Sequence, residues 1–298
     1  MTGASPAPGA RLRALLAGDE VVHLPGVHDA VSARLAVRSG ARAVCLSGAV
    51  VSAVALGLPD LGFVHGSEIA DRAAQVVPAL DGVPLLADAD TGYGNALQAR
   101  RTAVRYAAAG VAGLHLEDQV APKRCGHMTG KAIVDVAEAA GRVRATVEAG
   151  TGLVVVARTD ALSVEGIGSV VERAHAFVEA GADAVFVEGA DLAALTEVRS
   201  SLGAGVPFLV NRSEAGGPVE GGADDATLAG LGVRLVIHPV SALLAAARAA
   251  ADAYAAIARD GHAGGGAPRM SWTDLTELVG LGDQIALEER YAEVVATR

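Results

Sequence analysis

Gly181-Ala-Asp-Ala-Val185 closes one helical pattern and opens an apolar run. The same junction recurs at Gly40-Ala-Arg-Ala-Val44, Gly110-Val-Ala-Gly-Leu114 and Gly232-Val-Arg-Leu-Val236. Glycine takes the left-handed conformation that ends a helix without steric penalty, and an unbroken apolar run suits a strand buried on both faces. The first three junctions lie 70 and 71 residues apart, roughly two βα units each, and the fourth follows after 51. Filling in the other apolar runs gives eight strands, near Val21–Leu24, Ala43–Ser47, Pro84–Asp88, Gly113–Glu117, Leu153–Arg158, Ala184–Glu188, Phe208–Asn211 and Arg234–Ile237. Helical patterns separate them, among them Asn95–Ala109, Val170–Ala180 and, after the last strand, Ser241–Arg259. This alternation predicts an α/β fold, a (β/α)8 TIM barrel, for which about 250 residues is typical. An open doubly wound sheet is the rival, but no GxGxxG follows the first strand. The chain, 1–298, therefore reads as a single barrel domain with 262–298 as a C-terminal helical extension. A linker-like stretch (HAGGGAPRMSW) follows Gly261, and the helical pattern Trp272–Ala296 is surplus to a minimal barrel.

Composition narrows the function classes. Of the 298 residues 51% are hydrophobic and 19% charged, which permits a large core, and the 37 glycines and 11 prolines show no collagen-like period. A net charge of −10 argues against non-specific nucleic-acid binding or attachment to anionic membrane. Cys45 and Cys125 form no CxxC pair, so a reducing cytoplasm is the expected compartment. The N-terminus has no apolar segment resembling a signal peptide. Arg248 and Asp252 interrupt the alanine-rich stretch Ser241–Ala256, which reads as a packed helix and not a membrane span.

The polar residues fall at the predicted C-terminal strand ends, the catalytic face of a barrel. Ser47-Gly48-Ala49 ends strand two, Asp88-Ala-Asp90 ends strand three and Glu117-Asp118 ends strand four; Arg158-Thr-Asp160, Glu188 and Asn211 end strands five, six and seven. Carboxylates without clustered His or Cys favour a hard cation, Mg²⁺ first and Mn²⁺ as a substitute. Asp88 and Asp90 share a side if both lie in the strand. Acidic strand ends also cap helices, and for any single Asp that bland reading is favoured; four acids on one rim shift the balance towards a metal. Ser47-Gly48-Ala49 and Gly92-Tyr-Gly94 could offer N–H groups to an anion, although each taken alone is an ordinary βα turn. Arg158 needs a carboxylate or phosphate partner, and Glu188 as a structural ion pair is the alternative to substrate. Cys125 lies in Lys123-Arg-Cys-Gly-His127, within a long loop from Gln119 to Asp135, where neighbouring cations are expected to lower its pKa. A second long loop runs from Arg212 to Asp225.

These residues resemble the isocitrate lyase / phosphoenolpyruvate mutase superfamily from about Val22 to the C-terminus. The carriers are Leu46-Ser-Gly48, Leu56-Gly-Leu-Pro-Asp60, Asp88-Ala-Asp90, Leu116-Glu-Asp-Gln119, Lys123-Arg-Cys-Gly-His127, Ala157-Arg-Thr-Asp160 and Pro239-Val-Ser241. The resemblance implies a barrel whose last helix is exchanged between subunits of a homodimer or homotetramer, with Mg²⁺ and a 2-oxo acid or its enolate at the centre. It implies Asp88 as direct metal ligand, with Asp60, Asp90 and Glu117 acting through water. Ser47, Gly48, Ala49 and Arg158 would hold the oxo-carboxylate end, while Lys123, Gly126, His127, Glu188, Asn211 and Ser213 line the remaining pocket. Cys125 would be the acid/base of a gating loop, in a catalytic set with Arg158 and Glu117.

The expected reaction is Mg²⁺-dependent carbon–carbon cleavage of a 2-hydroxy di- or tricarboxylic acid of the 2-methylisocitrate or 2,3-dimethylmalate type. Two departures point to an acid smaller than 2-methylisocitrate. Cys45 stands where tyrosine is common in 2-methylisocitrate lyases, and Pro239-Val-Ser-Ala-Leu-Leu244 lacks their usual arginine. Thr91-Gly-Tyr-Gly-Asn95 and Met270-Ser-Trp-Thr-Asp-Leu275 are instead similar to carboxyvinyl-carboxyphosphonate phosphorylmutase. Phosphonomutase chemistry, oxaloacetate decarboxylation or hydrolysis, and a non-catalytic barrel subunit are thus the alternatives.

Overall fold

A computed structural model describes residues 7–216, 223–264 and 268–296. Its strands are β1 (Val22–Pro25), β2 (Val44–Leu46), β3 (Leu85–Asp88), β4 (Gly113–Glu117), β5 (Val154–Thr159), β6 (Ala184–Val187), β7 (Phe208–Asn211) and β8 (Val233–His238). All ladders are parallel and join neighbours in sequence, with β1 beside β8. Between β1 and β2 the ring is closed by a single bridge, Gly26 to Cys45, in which the Val27 N–H donates to the Cys45 carbonyl at 2.9 Å. The open-sheet rival is thereby removed. Gly40, Gly110, Gly181 and Gly232 all have φ between +82° and +95°, so the four junctions are left-handed helix ends as their sequence suggests.

Alternation along the strands builds the interior. Leu24, Cys45, Leu86, Val154, Val156, Phe186, Leu209 and Leu235 meet inside the ring, while Leu85, Ala87, Leu114 and Val155 pack outwards beneath the helices. The lower end is plugged by a helix absent from the sequence reading, Pro8–Leu16, whose Leu12 and Leu16 join the interior cluster. Filling this end with apolar side chains leaves the inward polar positions only at the upper end.

The chain divides into two compact units, Met1–Leu243 and Leu244–Arg298. In the second unit the stretch read as one helix is two, Trp272–Leu278 and Leu281–Ala296, interrupted at Gly280 with φ +80°. One described helix, Ser241–Asp260, is long and apolar enough to cross a membrane by length and composition alone, with a mean hydropathy of 1.2. No residue of it is buried in the single chain, contrary to its reading as a packed helix. Of the long loop after β7, residues 217–222 lie outside the described residues.

Candidate active site

Period-two spacing delivers one inward polar group from nearly every strand to the upper rim. Asp88 follows Leu86, His115 and Glu117 follow Gly113, Arg158 follows Val156, Glu188 follows Phe186, and Asn211 follows Leu209. Each of these rim groups except Asn211 is less than 10% exposed. They line or support a cavity within the first unit. Its walls include Ser47, Ala49, Asp60, Asp88, His115, Lys123, Cys125, Gly126, His127, Arg158, Glu188, Asn211 and Ser213. Gly48, Asp90 and Glu117 stand behind this lining, each against a residue that forms it.

Asp88 is the fixed point. Its Oδ2 accepts from the Gly48 N–H at 2.9 Å and its Oδ1 from the Asp90 N–H at 3.0 Å, with His115 Nδ1 3.5 Å away. A Cβ on residue 48 would lie 3.1 Å from Asp88 Oδ2, so the close approach suits glycine, and the Gly48 N–H is used by Asp88 rather than offered to a ligand. Burial works against the Asp88 charge, but His115, Lys123 and Arg158 outweigh it and hold the carboxyl down to about 2. From below, the Tyr106 hydroxyl donates to the Asp88 carbonyl at 2.7 Å and lies 3.2 Å from Tyr93 Oη.

Asp90 joins Asp88, though not by strand alternation. It lies past the end of β3 with φ +43°, and this left-handed kink turns it towards Lys123. Lys123 Nζ reaches Asp90 Oδ1 at 3.0 Å and Asp60 Oδ1 at 2.6 Å. Burial pushes Asp90 up to about 7, Lys123 opposes the rise, and Asp88 and Asp60 add to it. Gly92-Tyr-Gly94 forms an ordinary turn outside the cavity wall, with the Gly92 N–H donating to the Ala89 carbonyl at 2.8 Å; the bland reading of that segment holds.

Arg158 is held more tightly than its sequence suggests. Its Nε and Nη2 donate to Asp160 Oδ2 and Oδ1 at 2.9 and 3.1 Å, in the two-bond geometry that fixes a guanidinium plane. Its Nη1 lies 3.1 Å from Glu117 Oε2, while Glu188, the partner weighed from sequence, is more distant at 3.8 Å. Burial raises Glu117 well above the usual carboxylate range, with Arg158 opposing and Asp160 and Asp90 reinforcing. The Gln119–Asp135 loop covers this group. Gln119 brackets it through bonds to the Arg124 N–H and carbonyl, both 2.9 Å.

Cys125 departs from expectation. Its thiol is pushed up rather than down, because burial beneath the loop outweighs the His127 N–H and the attractions of Lys123 and Arg158, and Asp60 adds to the rise. The flanking cations are visible in the sequence, whereas the desolvation arises only in the fold. A raised pKa keeps the group as a thiol, ready to donate a proton. Cys45 behaves as a buried small side chain, with burial raising it to about 12.

The residues suit a divalent cation. Among the described residues, Asp60, Asp88, Asp90, Glu117, Asp160 and Glu188 face Lys123, Lys131 and Arg158 as lysine or arginine cations, with His115 and His127 nearby. Glu117 Oε1 is buried without a hydrogen-bond donor, and Asp90 Oδ1, Glu117 Oε2 and Glu188 Oε2 meet only Lys123 or Arg158, at 3.0, 3.1 and 3.8 Å. Buried carboxylate oxygens without donors are costly unless a cation or its waters meet them. Among the described residues no three His, Cys, Asp or Glu side chains converge as direct ligands. A hard cation held through one or two carboxylates with its waters retained needs no such cluster.

His115, Asp160 and Lys131 were not singled out as site residues. His115 was available from alternation with Glu117, and Asp160 ends the quoted Arg158-Thr-Asp160 motif. Lys131 carried no local signal.

A parallel barrel with a carboxylate-rich upper rim, a clamped arginine and a thiol on a covering loop has the arrangement of an α/β-barrel enzyme. The chain belongs to the phosphoenolpyruvate phosphomutase family, which it matches over residues 12–258. It is 39% identical to 2-methylisocitrate lyase of Bacillus subtilis (strain 168) over 287 residues, covering 96% of this chain and 93% of that one. With 2,3-dimethylmalate lyase of Eubacterium barkeri it shares 37% identity over 292 residues, covering 95% and 98%. Among solved structures, 2,3-dimethylmalate lyase superposes with a TM-score of 0.88 at 35% identity, covering 96% of each chain. A phosphonopyruvate hydrolase in complex with oxalate and Mg²⁺ gives 0.84 at 28% identity, covering 96% of this chain and 100% of that one.

Proposed function

We propose that the protein is a Mg²⁺-dependent carbon–carbon lyase. It cleaves a 2-hydroxy di- or tricarboxylic acid of the 2-methylisocitrate or 2,3-dimethylmalate type to a 2-oxo acid, such as pyruvate, and a carboxylate. The observation that carries this reading is the convergence on one cavity of Asp88, Arg158 and the Cys125 thiol. The lyase relatives and the Mg²⁺–oxalate complex of a structural neighbour support it.

The ionised Asp88 would hold the metal directly, and Asp60, Asp90 and Glu117 would accept from its waters. When bound, Mg²⁺ supplies positive charge that polarises the substrate oxygens. Ser47 and Ala49 seat the oxo-carboxylate end, and Arg158, its plane fixed by Asp160, stabilises negative charge as the C2 oxygen becomes an oxo group. Glu117, in its ionised form beside Arg158 at 3.1 Å, takes the hydroxyl proton. The C2–C3 bond breaks and its electrons remain on C3, where Cys125 delivers a proton. His127, Glu188, Asn211 and Ser213 shape the distal pocket. Loop residues Lys123 and Gly126 exclude water, which would otherwise weaken each interaction.

The remaining proposals concern context. The protein is cytoplasmic, with Mn²⁺ as a substitute metal. The chain forms one barrel domain over 1–298, and its 262–298 extension is exchanged between copies in a homodimer or homotetramer.

The test is 2-oxo-acid release from 2-methylisocitrate, isocitrate, 2,3-dimethylmalate, citramalate and oxaloacetate, followed with a coupled dehydrogenase with and without chelator. Chelator-sensitive release from a hydroxy acid is expected. Release from oxaloacetate alone, or from none of them, overturns the reading.

A further inference from the structure

Lys131 is a buried cation beside the site that does not line the cavity. Its side chain is 5% exposed although it sits on a loop. Burying an ammonium is expensive unless good acceptors meet it. Lys131 has two: Nζ donates to the Gly126 carbonyl at 2.7 Å and to Asp160 Oδ1 at 2.8 Å. Gly126 adjoins Cys125 at the loop tip, and Asp160 is the carboxylate that grips Arg158 on β5.

Other ties of the loop meet other partners: Lys123 Nζ reaches Asp60 Oδ1 at 2.6 Å and Asp90 Oδ1 at 3.0 Å, and His127 Nε2 lies 3.9 Å from Glu188 Oε1. The Val120 N–H to Ala132 carbonyl bond (2.8 Å) and the Val134 N–H to Asp118 carbonyl bond (2.9 Å) join its base, and Gln119 brackets Arg124. Lys131 alone among these joins the segment carrying the thiol to the group orienting the guanidinium. Asp160 is itself anchored from below: its N–H donates to Asp118 Oδ1 at 3.0 Å, and Asp118 Oδ2 accepts from Arg173 Nη1 at 3.2 Å. The barrel end of the tie is therefore fixed by further bonds, and the loop end is held by the Gly126 carbonyl alone at this point.

We propose that Lys131 is the latch of the catalytic loop, a positioning residue that holds the Cys125–Gly126 tip over Arg158 by bridging the Gly126 carbonyl and Asp160. Withdrawal of the tip breaks the carbonyl bond and removes the lysine from Asp160, so the guanidinium loses one neighbour of its carboxylate as the thiol departs. Closure restores both together. The catalytic meaning of the latch rests on the lyase reading, whereas its mechanical action does not.

The test measures how fast iodoacetamide alkylates Cys125, by peptide mass spectrometry, in the full-length wild type and in Lys131→Met and Lys131→Gln. Cys45, buried in the barrel, serves as the internal folding control. A lost charge-assisted bond shifts loop opening by about tenfold or more. Cys125 alkylation should therefore accelerate about tenfold in Lys131→Met by a factor constant between pH 7 and 9, with Cys45 still protected. Lys131→Gln, which keeps one donor group, should fall between and supplies the test if the methionine variant exposes Cys45. On any substrate turned over, kcat should fall more than KM rises. An unchanged alkylation rate with Cys45 protected in either variant overturns the proposal. A wild type inactive on every hydroxy acid, with alkylation still accelerated in the variants, overturns the lyase reading and leaves the latch standing.

Discussion

Gly126→Ala is a steric test of loop closure. A Cβ at this position would lie 2.6 Å from Arg158 Nη2 and 2.7 and 2.8 Å from Glu188 Cδ and Cγ. Ordinary contact begins near 3.4 Å, so the methyl is about 0.8 Å too close to the guanidinium. Arg158 cannot swing aside freely, because two bonds to Asp160 fix its plane and Glu117 sits on its other edge. Glu188 is 3% exposed and equally confined. The loop tip must yield instead, carrying Cys125 outwards by most of an ångström. A misplacement of about 1 Å costs on the order of 100-fold in rate, or about 2.7 kcal/mol of barrier. Steady-state kinetics on the substrate identified by the panel should show kcat reduced by about 100-fold. Thermal unfolding should stay within about 2 °C of wild type, since the strain can be relieved by opening the loop. A kcat within threefold of wild type would refute the closed geometry on which the site rests.

Three further outcomes follow from particular contacts. Leu12→Ala opens a hole in the barrel plug and should cost about 2–5 kcal/mol in urea denaturation; a loss under about 1 kcal/mol would mean that the helix Pro8–Leu16 does not fill the interior. Asp88→Asn removes the charge at the fixed point and should weaken Mg²⁺ binding in isothermal titration by at least about 100-fold, whereas unchanged affinity would place the metal elsewhere. Cys125 acts in its protonated form, and burial raises its pKa, so cleavage should continue at pH values where an ordinary thiol has ionised. The alkaline limb of the kcat–pH profile should lie above about 8.5, and a limb below that value would contradict a buried thiol acid.

The barrel was legible because strands buried on both faces are written as unbroken apolar runs. Gly113–Glu117 and Phe208–Asn211 coincide with β4 and β7 to the residue. The plug helix was not, since PGARLRALL is short and its role depends on a cavity that exists only after the ring closes. Strand-end position located Asp88, Glu117, Arg158 and Glu188, because period-two alternation converts sequence position directly into facing direction. It could not give Asp90, whose direction comes from a left-handed φ. Nor could it give Lys131, whose partner Asp160 lies 29 residues away on another element. The Cys125 shift was misjudged in sign because adjacent cations are visible in a sequence and the covering of a loop is not.

The central claim, carbon–carbon cleavage with protonation by Cys125, is tested most directly by NMR of the 2,3-dimethylmalate reaction in D₂O with Mg²⁺. The account predicts pyruvate and propionate in equal amounts, the propionate carrying one solvent deuterium at C2, and neither product from Cys125→Ser. Products formed at the wild-type rate by Cys125→Ser, or no cleavage of any hydroxy acid by the wild-type protein, would contradict it.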